Sequence, residues 1–458
     1  MCLITFLIKY DIKNTLMQGK LQNGINYLGT PKIGNSCHVT FLRAGEGSNA
    51  SEIGEVLVKL WNMLKKLEKG MVEDLKGVNQ RHLHPGNLSV LIGYGTQIFS
   101  IKDVKKQKPK ELNDQDCFKH PNLSGGGPIF QDTEIWYSQD VVKNDAASEH
   151  IVLQIVGDNE FITSRATFET WKLLSRLQNS QGNDTLYITR IFTGFQRDDK
   201  RNWFGFHDGV SNLPSNERLQ VIGISKKDVG EKDIWTINGT YMAFLRMEFD
   251  VNKWGKVNDT DQSIIIGRDK ITGCPLIGVD KNNEPIKDIR CPVRGTFEVL
   301  EKGNEIFREH PPFGKQRYLP LGISDKVLVK SHVGTSNPTH EQSDRNNAYR
   351  IFRQGFEFLE PTVTYPGFRV GLNFISYQKN PKRLFNILRH SSGKKVQSHD
   401  GLELPFFETF FSVRTAGIFL IPPLVMNEPF PGSSLFLDEL SIRNISKSGY
   451  SERLGRSY

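Results

Sequence analysis

Residues 203–212, which read WFGFHDGVSN, mark the point where one pattern of strands and helices ends and a second begins. Within this stretch Gly205 and Gly209 flank Asp208, and three aromatic residues stand nearby. A carboxylate in apolar surroundings costs free energy unless it is paired or serves a chemical role. The stretch is therefore a candidate boundary and a candidate functional loop, although DG is also a common turn dipeptide in which the aspartate forms an Asx-turn.

The segment before this boundary contains three strand-like runs, each rich in β-branched or aromatic residues and bounded by Gly, Asn or Asp. They are CHVTFLR (37–43), LSVLIGYG (88–95) and IVLQIVGD (151–158). The segment after it contains two more, TYMAFLRMEFDV (240–251) and VGLNFISYQ (370–378).

Helical patterns lie between these strands. Apolar residues at three- and four-residue spacing predict a helix over 51–70, capped by Ser51 and ended by Gly70. A second helix begins at Ser164, and its predicted apolar face contains Phe168, Trp171, Leu174 and Leu177. A third follows Asn380–Pro381, and its apolar stripe contains Leu384, Phe385 and Leu388. The repeated order of elements indicates two related α+β halves.

Composition is typical of an ordinary globular protein, with 37% hydrophobic and 24% charged residues over 458 positions. The net charge of +8 is spread thinly among acidic residues, so we expect no nucleic-acid partner. No apolar run approaches the roughly 20 residues needed to cross a bilayer, so no membrane span is predicted. The five cysteines form no CxxC pair, which argues against a disulfide framework or a cysteine zinc site and favours a cytoplasmic location.

A second dense segment occupies residues 326–358 and contains His332 directly after an apolar run. A neutral imidazole at such a position could ligate a metal, although most single histidines do not. The same segment ends in RIFRQG, which offers Arg350 and Arg353 as cations and finishes at Gly355.

Taken together, these segments resemble the dye-decolorising peroxidase family of haem peroxidases, whose GxxDG motif is matched by residues 205–209. Further segments resemble the family in the same order along residues 13–425. They are NTLMQGKLQNGI (14–25), GTYMAFLRMEFDVNKW (239–254), SIIIGRDKITGCPL (263–276), SHVGTSNP (331–338), GLNFISYQKNP (371–381) and GIFLIPP (417–423).

This resemblance implies an α+β fold of two ferredoxin-like halves with antiparallel sheets, of the dimeric α+β barrel type. The N-terminal half would span 13–212 and end with the GxxDG motif, and the C-terminal half, 213–425, would bind haem. Residues 426–458 read as a polar, basic tail with no apolar docking motif. Because the family often self-associates, homo-oligomers are possible.

The resemblance also implies a set of site residues, with haem b (iron protoporphyrin IX) as cofactor. His332 matches the proximal ligand of the haem iron, and Asp208 and Arg353 match the distal catalytic pair. Arg350 is a rival for the distal position; otherwise it contacts a haem propionate or pairs with a surface acid. Glu408 is a candidate partner of His332. The remaining expected cofactor-binding residues are Gly205, Phe206, Gly209, Leu372 and Phe374.

These residue types suit the reduction of hydrogen peroxide coupled to the oxidation of dyes, phenols or another organic electron donor. Ionised Asp208 could take a proton from one peroxide oxygen and return it to the other, while Arg353 stabilises the departing oxygen. Two departures, Gly334 and Thr339, replace arginines that the family often has, so propionate contacts are expected to differ. The alternatives are a non-enzymatic haem carrier or sensor and an iron-releasing, haem-handling variant.

Overall fold

The structure is a computed structural model. It describes residues 19–25, 34–72, 84–115, 149–197, 201–207, 212–213, 215–270, 273, 276, 330–336, 350–363, 366–391, 396–397, 403–404 and 407–445. Within these ranges no helix is both long enough and apolar enough to cross a membrane.

The N-terminal half has the order βαββαβ. Its elements are β1 Ser36–Ala44, α1 Ala50–Leu67, β2 Ser89–Tyr94, β3 Ile151–Gly157, α2 Glu160–Leu174 and β4 Leu186–Phe195. The strands form an antiparallel sheet in the order β4-β1-β3-β2.

The C-terminal half repeats this arrangement with additional short helices. Its elements are α3 Ser215–Ile222, β5 Thr240–Phe249, α4 Val251–Trp254, α5 Asp259–Ile266, α6 His332–Ser336, β6 Phe352–Pro361, β7 Phe368–Gln378, α7 Lys382–Ser391, the short pair β8 Val396–Gln397 and β9 Glu403–Leu404, and β10 Phe411–Ile421. The long strands pair antiparallel in the order β10-β5-β7-β6. The fold class is confirmed, and the residue limits of the two halves stay a prediction.

The two sheets join edge to edge into one closed eight-stranded barrel. Aromatic side chains fill its interior, where Phe41 contacts Phe244 and Phe419 with ring centroids 5.5 and 5.6 Å apart. The helices cover much of the outer face, with α1 on the N-terminal sheet and α5 and α7 on the C-terminal sheet. The candidate site lies on the outer face of the C-terminal sheet.

Both seams between the halves have few strand pairs. At one seam Leu420 pairs with Tyr94, and at the other Phe195 pairs with Glu357. Buried side chains supplement these pairs. Gln22 donates through Nε2 to the carbonyls of Ile92 and Pro422, at 3.0 and 2.9 Å, and its Oε1 accepts from the Ile92 amide at 2.9 Å.

The first two predicted helices exist, but both start earlier than expected. Asn49, not Ser51, caps α1, because Asn49 and Glu52 form a reciprocal capping box. Helix α2 begins at Glu160 and is capped by Asn159, so Ser164 lies inside it.

The face of α2 predicted to be apolar and buried is wrong in part. Phe168 and Trp171 are exposed, whereas the residues that face the sheet are mostly small and polar: Thr163, Ala166, Thr167, Thr170 and Leu174. The reason lies in β1, which presents Ser36 and His38 to this helix. The hydroxyls of Ser36 and Thr163 are 2.8 Å apart, and His38 Nδ1 lies 2.9 Å from Thr167 Oγ1.

The predicted polar tail, residues 426–458, is not polar in its first part, over residues 430–437. Phe430, Leu435, Phe436 and Leu437 are buried in the core of the N-terminal half. Gly54 of α1 makes room for this segment, since a Cβ there would lie 2.8 Å from Leu437 Cδ2. The chain after β10 therefore returns to stabilise the first half.

Candidate functional site

The end of α5 determines where α6 begins. Helix α5 stops at Gly267, whose φ of +88° is readily adopted only by glycine. A Cβ at this position would overlap Ser331 Oγ, so the absence of a side chain lets the two segments touch. Ser331 then starts α6, accepting from the Gly334 amide through Oγ at 3.1 Å and from the Thr335 amide through its carbonyl at 2.9 Å.

His332 is the first residue of α6. Its ring lies deep in the molecule but keeps part of its surface accessible. Burial, with the charges of Arg353 and Arg268 acting in the same direction, lowers the pKa of His332 to about 3. The imidazole is therefore neutral at physiological pH, the form in which histidine ligates metals. Its Nδ1 lies 3.4 Å from Ser336 Oγ.

Arg353 lies on β6, close enough to His332 for its charge to act on the ring. Its backbone is held by one side chain: Asn212 Oδ1 accepts from the Arg353 amide at 2.9 Å, and Asn212 Nδ2 donates to the Arg353 carbonyl at 2.6 Å. The segment that follows the GxxDG motif is thus tied directly to the strand that carries Arg353.

Arg268 is a site residue that the sequence reasoning missed. It directly follows Gly267, is 4% exposed, and donates to the Gly273 carbonyl at 2.9 Å. Burial lowers its pKa to about 9, and the charge of Arg353 acts in the same direction. The signal that could have found it is its place in the quoted segment SIIIGRDKITGCPL, where it stands between the end of a helix and the TG turn.

Arg350 lies apart from this pair. Its guanidinium forms an ion pair with Glu217 of α3, and both side chains are about one-third exposed. Of the two roles weighed for Arg350, pairing with a surface acid is the one seen here. A propionate contact stays a prediction.

Leu372 and Phe374 lie on β7, and their side chains are on the same face of the sheet as that of Arg353. The strand register pairs Phe374 with Gly355 and Ser376 with Arg353, so these residues share one face of the sheet. Both apolar side chains are half-buried and pack with Val333 against the outer core of the C-terminal half. They supply an apolar surface beside the charged pair.

The loop over 201–207 is held by its own polar groups. Asn202 Oδ1 accepts from the amides of Phe204 and Phe206, each at 3.1 Å. Gly205 has a φ of +87°, and a Cβ there would lie 2.8 Å from Lys270 Cε. The side chain of Phe206 is 2% exposed and packs near Trp254, so the loop backbone rather than this ring faces outward.

Asp208 and Gly209 lie outside the described residues, and so does the side chain of Glu408. The residues on either side of Asp208 are described. The ring of His207 packs against Gly273 and lies 2.9 Å, through Nε2, from Arg201 Nη2. Asn212 contacts the backbone of Arg353. The role of Asp208 therefore stays a prediction from the sequence.

The described residues suit haem iron, whose ligands come mostly from the porphyrin and not from protein side chains. Among them no three His, Cys, Asp or Glu side chains are grouped so that they could hold a metal ion. A neutral imidazole, two guanidiniums and an apolar face match the iron, the carboxylates and the flat ring of a haem. The donor set thus fits this cofactor, and among the described residues His332 is the candidate protein ligand.

Comparisons with known proteins agree with this fit. Residues 199–426 match the model described as Dyp-type peroxidase, C-terminal. Two curated relatives are deferrochelatases, one from Shigella sonnei (strain Ss046), 21% identical over 332 residues, and one from Escherichia coli (strain K12), 22% identical over 338. The alignments cover 70% of this chain and 65% of each relative.

Solved structures share the fold over nearly their whole length. The DyP-type peroxidase from Cellulomonas bogoriensis has a TM-score of 0.60 at 18% identity, covering 88% of this chain and 94% of that one. Ferric DtpA from Streptomyces lividans has a TM-score of 0.62 at 16% identity, covering 91% and 98%. These solved structures show the shared fold, and from the match over residues 199–426 the chain belongs to the DyP-type peroxidase family.

Proposed function

We propose that this protein is a haem-dependent peroxidase that reduces hydrogen peroxide and oxidises dyes, phenols or other bulky organic electron donors. The observation that carries the proposal is the juxtaposition of a neutral, buried imidazole, His332, with the guanidinium of Arg353. A carrier of haem needs the imidazole but has no need for Asp208 and Arg353 together. A cytoplasmic location stays a prediction.

His332 is the residue that would hold the iron of haem b. Because Nδ1 is near Ser336 Oγ, we expect Nε2 to be the ligating atom. Arg268 and Arg353 would face the anionic groups of the site, and Leu372 and Phe374 would pack on the ring. When bound, haem supplies the ferric centre at which peroxide is reduced and to which donors deliver electrons.

The chain's own residues would supply the polar part of the chemistry. Arg353 would stabilise the negative charge that develops on the departing peroxide oxygen, and the two bonds from Asn212 hold its backbone in place before the reaction starts. Asp208 would accept a proton from the other oxygen and return it to the departing one. Asn212 would keep Arg353 in register with the loop that contains Asp208.

The curated relatives favour a second candidate. Because they are named deferrochelatase, removal of iron from haem without destruction of the porphyrin is the alternative activity. The two candidates differ in product: the peroxidase consumes peroxide and oxidises a donor, whereas the alternative yields metal-free porphyrin.

A spectrum of the full chain reconstituted with haem tests the proposal. We expect a Soret band that shifts on rapid addition of hydrogen peroxide and peroxide-dependent bleaching of an anthraquinone dye. Bound haem that does not respond to peroxide would favour the carrier, and fluorescence of metal-free porphyrin would favour iron release. His332→Ala should weaken or abolish the Soret band; haem binding at parental affinity in this variant would move the ligand elsewhere.

A further inference from the structure

Arg201 is the first residue of the loop that leads to the GxxDG motif, and its side chain bonds to two separate segments of the chain. Its Nη1 donates to the carbonyls of Gly205 and Lys270, at 2.7 and 2.5 Å. Its Nη2 lies 2.9 Å from His207 Nε2. Gly205 and His207 belong to the same loop, whereas Lys270 lies 69 residues further along the chain. One guanidinium therefore joins the loop to the segment that follows α5.

The contact between Arg201 and His207 has a fixed direction. A guanidinium has donors and no acceptor, so the ring nitrogen that faces it, Nε2, accepts the bond. His207 is 8% exposed, so this bond is sheltered from water. The planar fork of an arginine reaches several acceptors at once, which the single ammonium of a lysine does less well. Lysine at position 201 would therefore keep the charge and lose part of the contacts.

The ring of His207 also packs on the segment after α5. Gly273 has a φ of +69°, and a Cβ there would lie 3.1 Å from His207 Cδ2. The Gly273 amide donates to the Asp269 carbonyl at 2.9 Å, and the Gly273 carbonyl accepts from Arg268 Nη1 at 2.9 Å. Gly273 thus contacts the loop where it lacks a side chain and holds Arg268 through its carbonyl.

A further contact joins the loop to the same segment. Gly205 lies against the aliphatic chain of Lys270, where a Cβ would be 2.8 Å from Cε. Lys270 Nζ in turn donates to Gln262 Oε1 at 2.7 Å and to Asp259 Oδ1 at 2.8 Å, and both of these residues belong to α5. The loop is therefore seated on a segment that is anchored to a helix.

The two segments that Arg201 joins lead to two parts of the candidate site. The loop ends at His207, the residue before the predicted acid Asp208. The segment after α5 contains Arg268, whose charge acts on His332. A shift of one segment relative to the other would therefore change how these parts of the site face each other.

We propose that Arg201 is a positioning residue that holds the loop of residues 201–207 and the segment of residues 267–270 and 273 as one unit. The backbone before Asp208 and the guanidinium of Arg268 are then placed together. Arg201 acts through these two segments, and its effect on haem rests on the proposed function.

Amide hydrogen exchange of the full chain without haem tests the coupling of the two segments. Arg201→Leu should speed exchange about tenfold or more at Gly205 in the loop and also at Gly273, because the bonds to both segments are lost together. Gly273→Ala changes the other segment and should also speed exchange at Gly205, since the added methyl group displaces the His207 ring.

Gly182→Ala is the matched control for the glycine variant, because Gly182 has a φ of +81° and open space around it. It should leave exchange in both segments at the parental rate. Faster exchange that is confined to the altered segment, in both Arg201→Leu and Gly273→Ala, would overturn the proposal, because Arg201 would then only close its own loop.

A double-mutant cycle on haem affinity tests whether Arg201 acts through Arg268. Arg201→Leu should raise the Kd of haem roughly tenfold, the usual scale for residues that orient a ligand indirectly, and Arg201→Lys should raise it less. Combined with Arg268→Leu, the loss should be smaller than the product of the two single effects. Arg414→Leu is the control, since Arg414 is 40% exposed and pairs with Glu248. Independent effects in the cycle, or parental affinity in Arg201→Leu, would contradict the proposal.

The two measurements separate this inference from the proposed function. A parent chain that binds no haem would contradict the proposed function, and the exchange data would still decide whether Arg201 couples the loop to the segment after α5. Haem binding together with uncoupled exchange would leave the peroxidase proposal standing and overturn the positioning role of Arg201.

Discussion

Single side chains decide the charge of the candidate site. His332 is neutral because it is buried and because Arg353 and Arg268 both act on it, and Arg268 is itself buried enough for its pKa to fall to about 9. Two guanidiniums in one region repel each other, so a bound group with negative charge would relieve an unfavourable interaction. The propionates of the proposed cofactor meet that requirement, and so does the negative charge that develops on peroxide during the proposed reaction.

Arg353→Leu is expected to lower kcat/KM for peroxide about 100- to 1,000-fold, the usual effect of removing one fixed donor of charge stabilisation. Stopped-flow measurement with haem-loaded protein checks this. Arg414→Leu is the control, because Arg414 pairs with Glu248 on the sheet and is 40% exposed. Arg350→Leu should reduce the rate less than tenfold; a larger loss there than at Arg353 would reverse the two assignments.

Gly267→Ala is expected to weaken haem binding as well as stability, because a methyl group at φ +88° is strained and would also displace Ser331, the residue before His332. Gly182→Ala is a matched control, since Gly182 has a φ of +81° but open space around it. Both variants should lose about 1 kcal/mol from strain, and only Gly267→Ala should bind haem more weakly. Equal haem affinity in the two would show that α6 is positioned by other contacts.

At the scale of elements, side chains hold the two halves together at the seams, because few strand pairs join the halves there. On the second seam Asn373 Nδ2 donates to the Thr193 carbonyl at 2.8 Å, and Asn373 Oδ1 accepts from Arg246 at 2.7 Å. Arg246 in turn stacks on Phe358 at 3.6 Å. The barrel therefore closes through buried polar groups, which are costly when they lose a partner.

Gln22→Leu is expected to lower the free energy of unfolding by about 2–4 kcal/mol, because it leaves three buried backbone groups of the first seam without their partner. Chemical denaturation of the parent and the variant measures the difference. Gln107→Leu, at an exposed position, should change the stability by less than about 0.5 kcal/mol. Comparable losses in both variants would mean that Gln22 does not tie the seam.

For the molecule as a whole, buried titratable groups determine how stability changes with pH. The pKa values of His38 and His150 fall to about 4, chiefly through burial, and that of His332 to about 3. The unfolded chain binds these protons near pH 6.5, so stability is lost as the pH falls from about 6.5 to 4. Glu428 acts in the opposite direction, because burial raises its pKa to about 7 and its ionisation costs stability as the pH rises from about 4.5 to 7.

Glu428→Gln is therefore expected to stabilise the protein by about 1–3 kcal/mol at pH 8 and to have little effect at pH 4, where the parent carboxyl is already protonated. Thermal unfolding across this pH range measures the effect. Glu439→Gln, on a side chain that is 90% exposed in the same segment, is the control. A stability difference that does not change with pH would show that Glu428 titrates normally.

Alternation and spacing in the sequence were sufficient to predict five of the barrel strands and the long helix α1, because these depend on residues within one element. The ordered segments also predicted the antiparallel two-half fold and drew attention to His332 and Arg353, which the structure brings together. Strands β4, β6 and β10 escaped the pattern, and only the family segment GIFLIPP marked part of β10. Along β4, residues on both faces are partly exposed, and no alternation results.

What the tertiary structure decided is which neighbour each side chain meets. The buried side of α2 is polar because β1 presents Ser36 and His38 to it, and no pattern within α2 records that. Arg268 belongs to the site, and Arg350 pairs with Glu217, because distant segments fold beside them. Local sequence determines periodicity, whereas burial and charge arise from contacts between residues far apart in the chain.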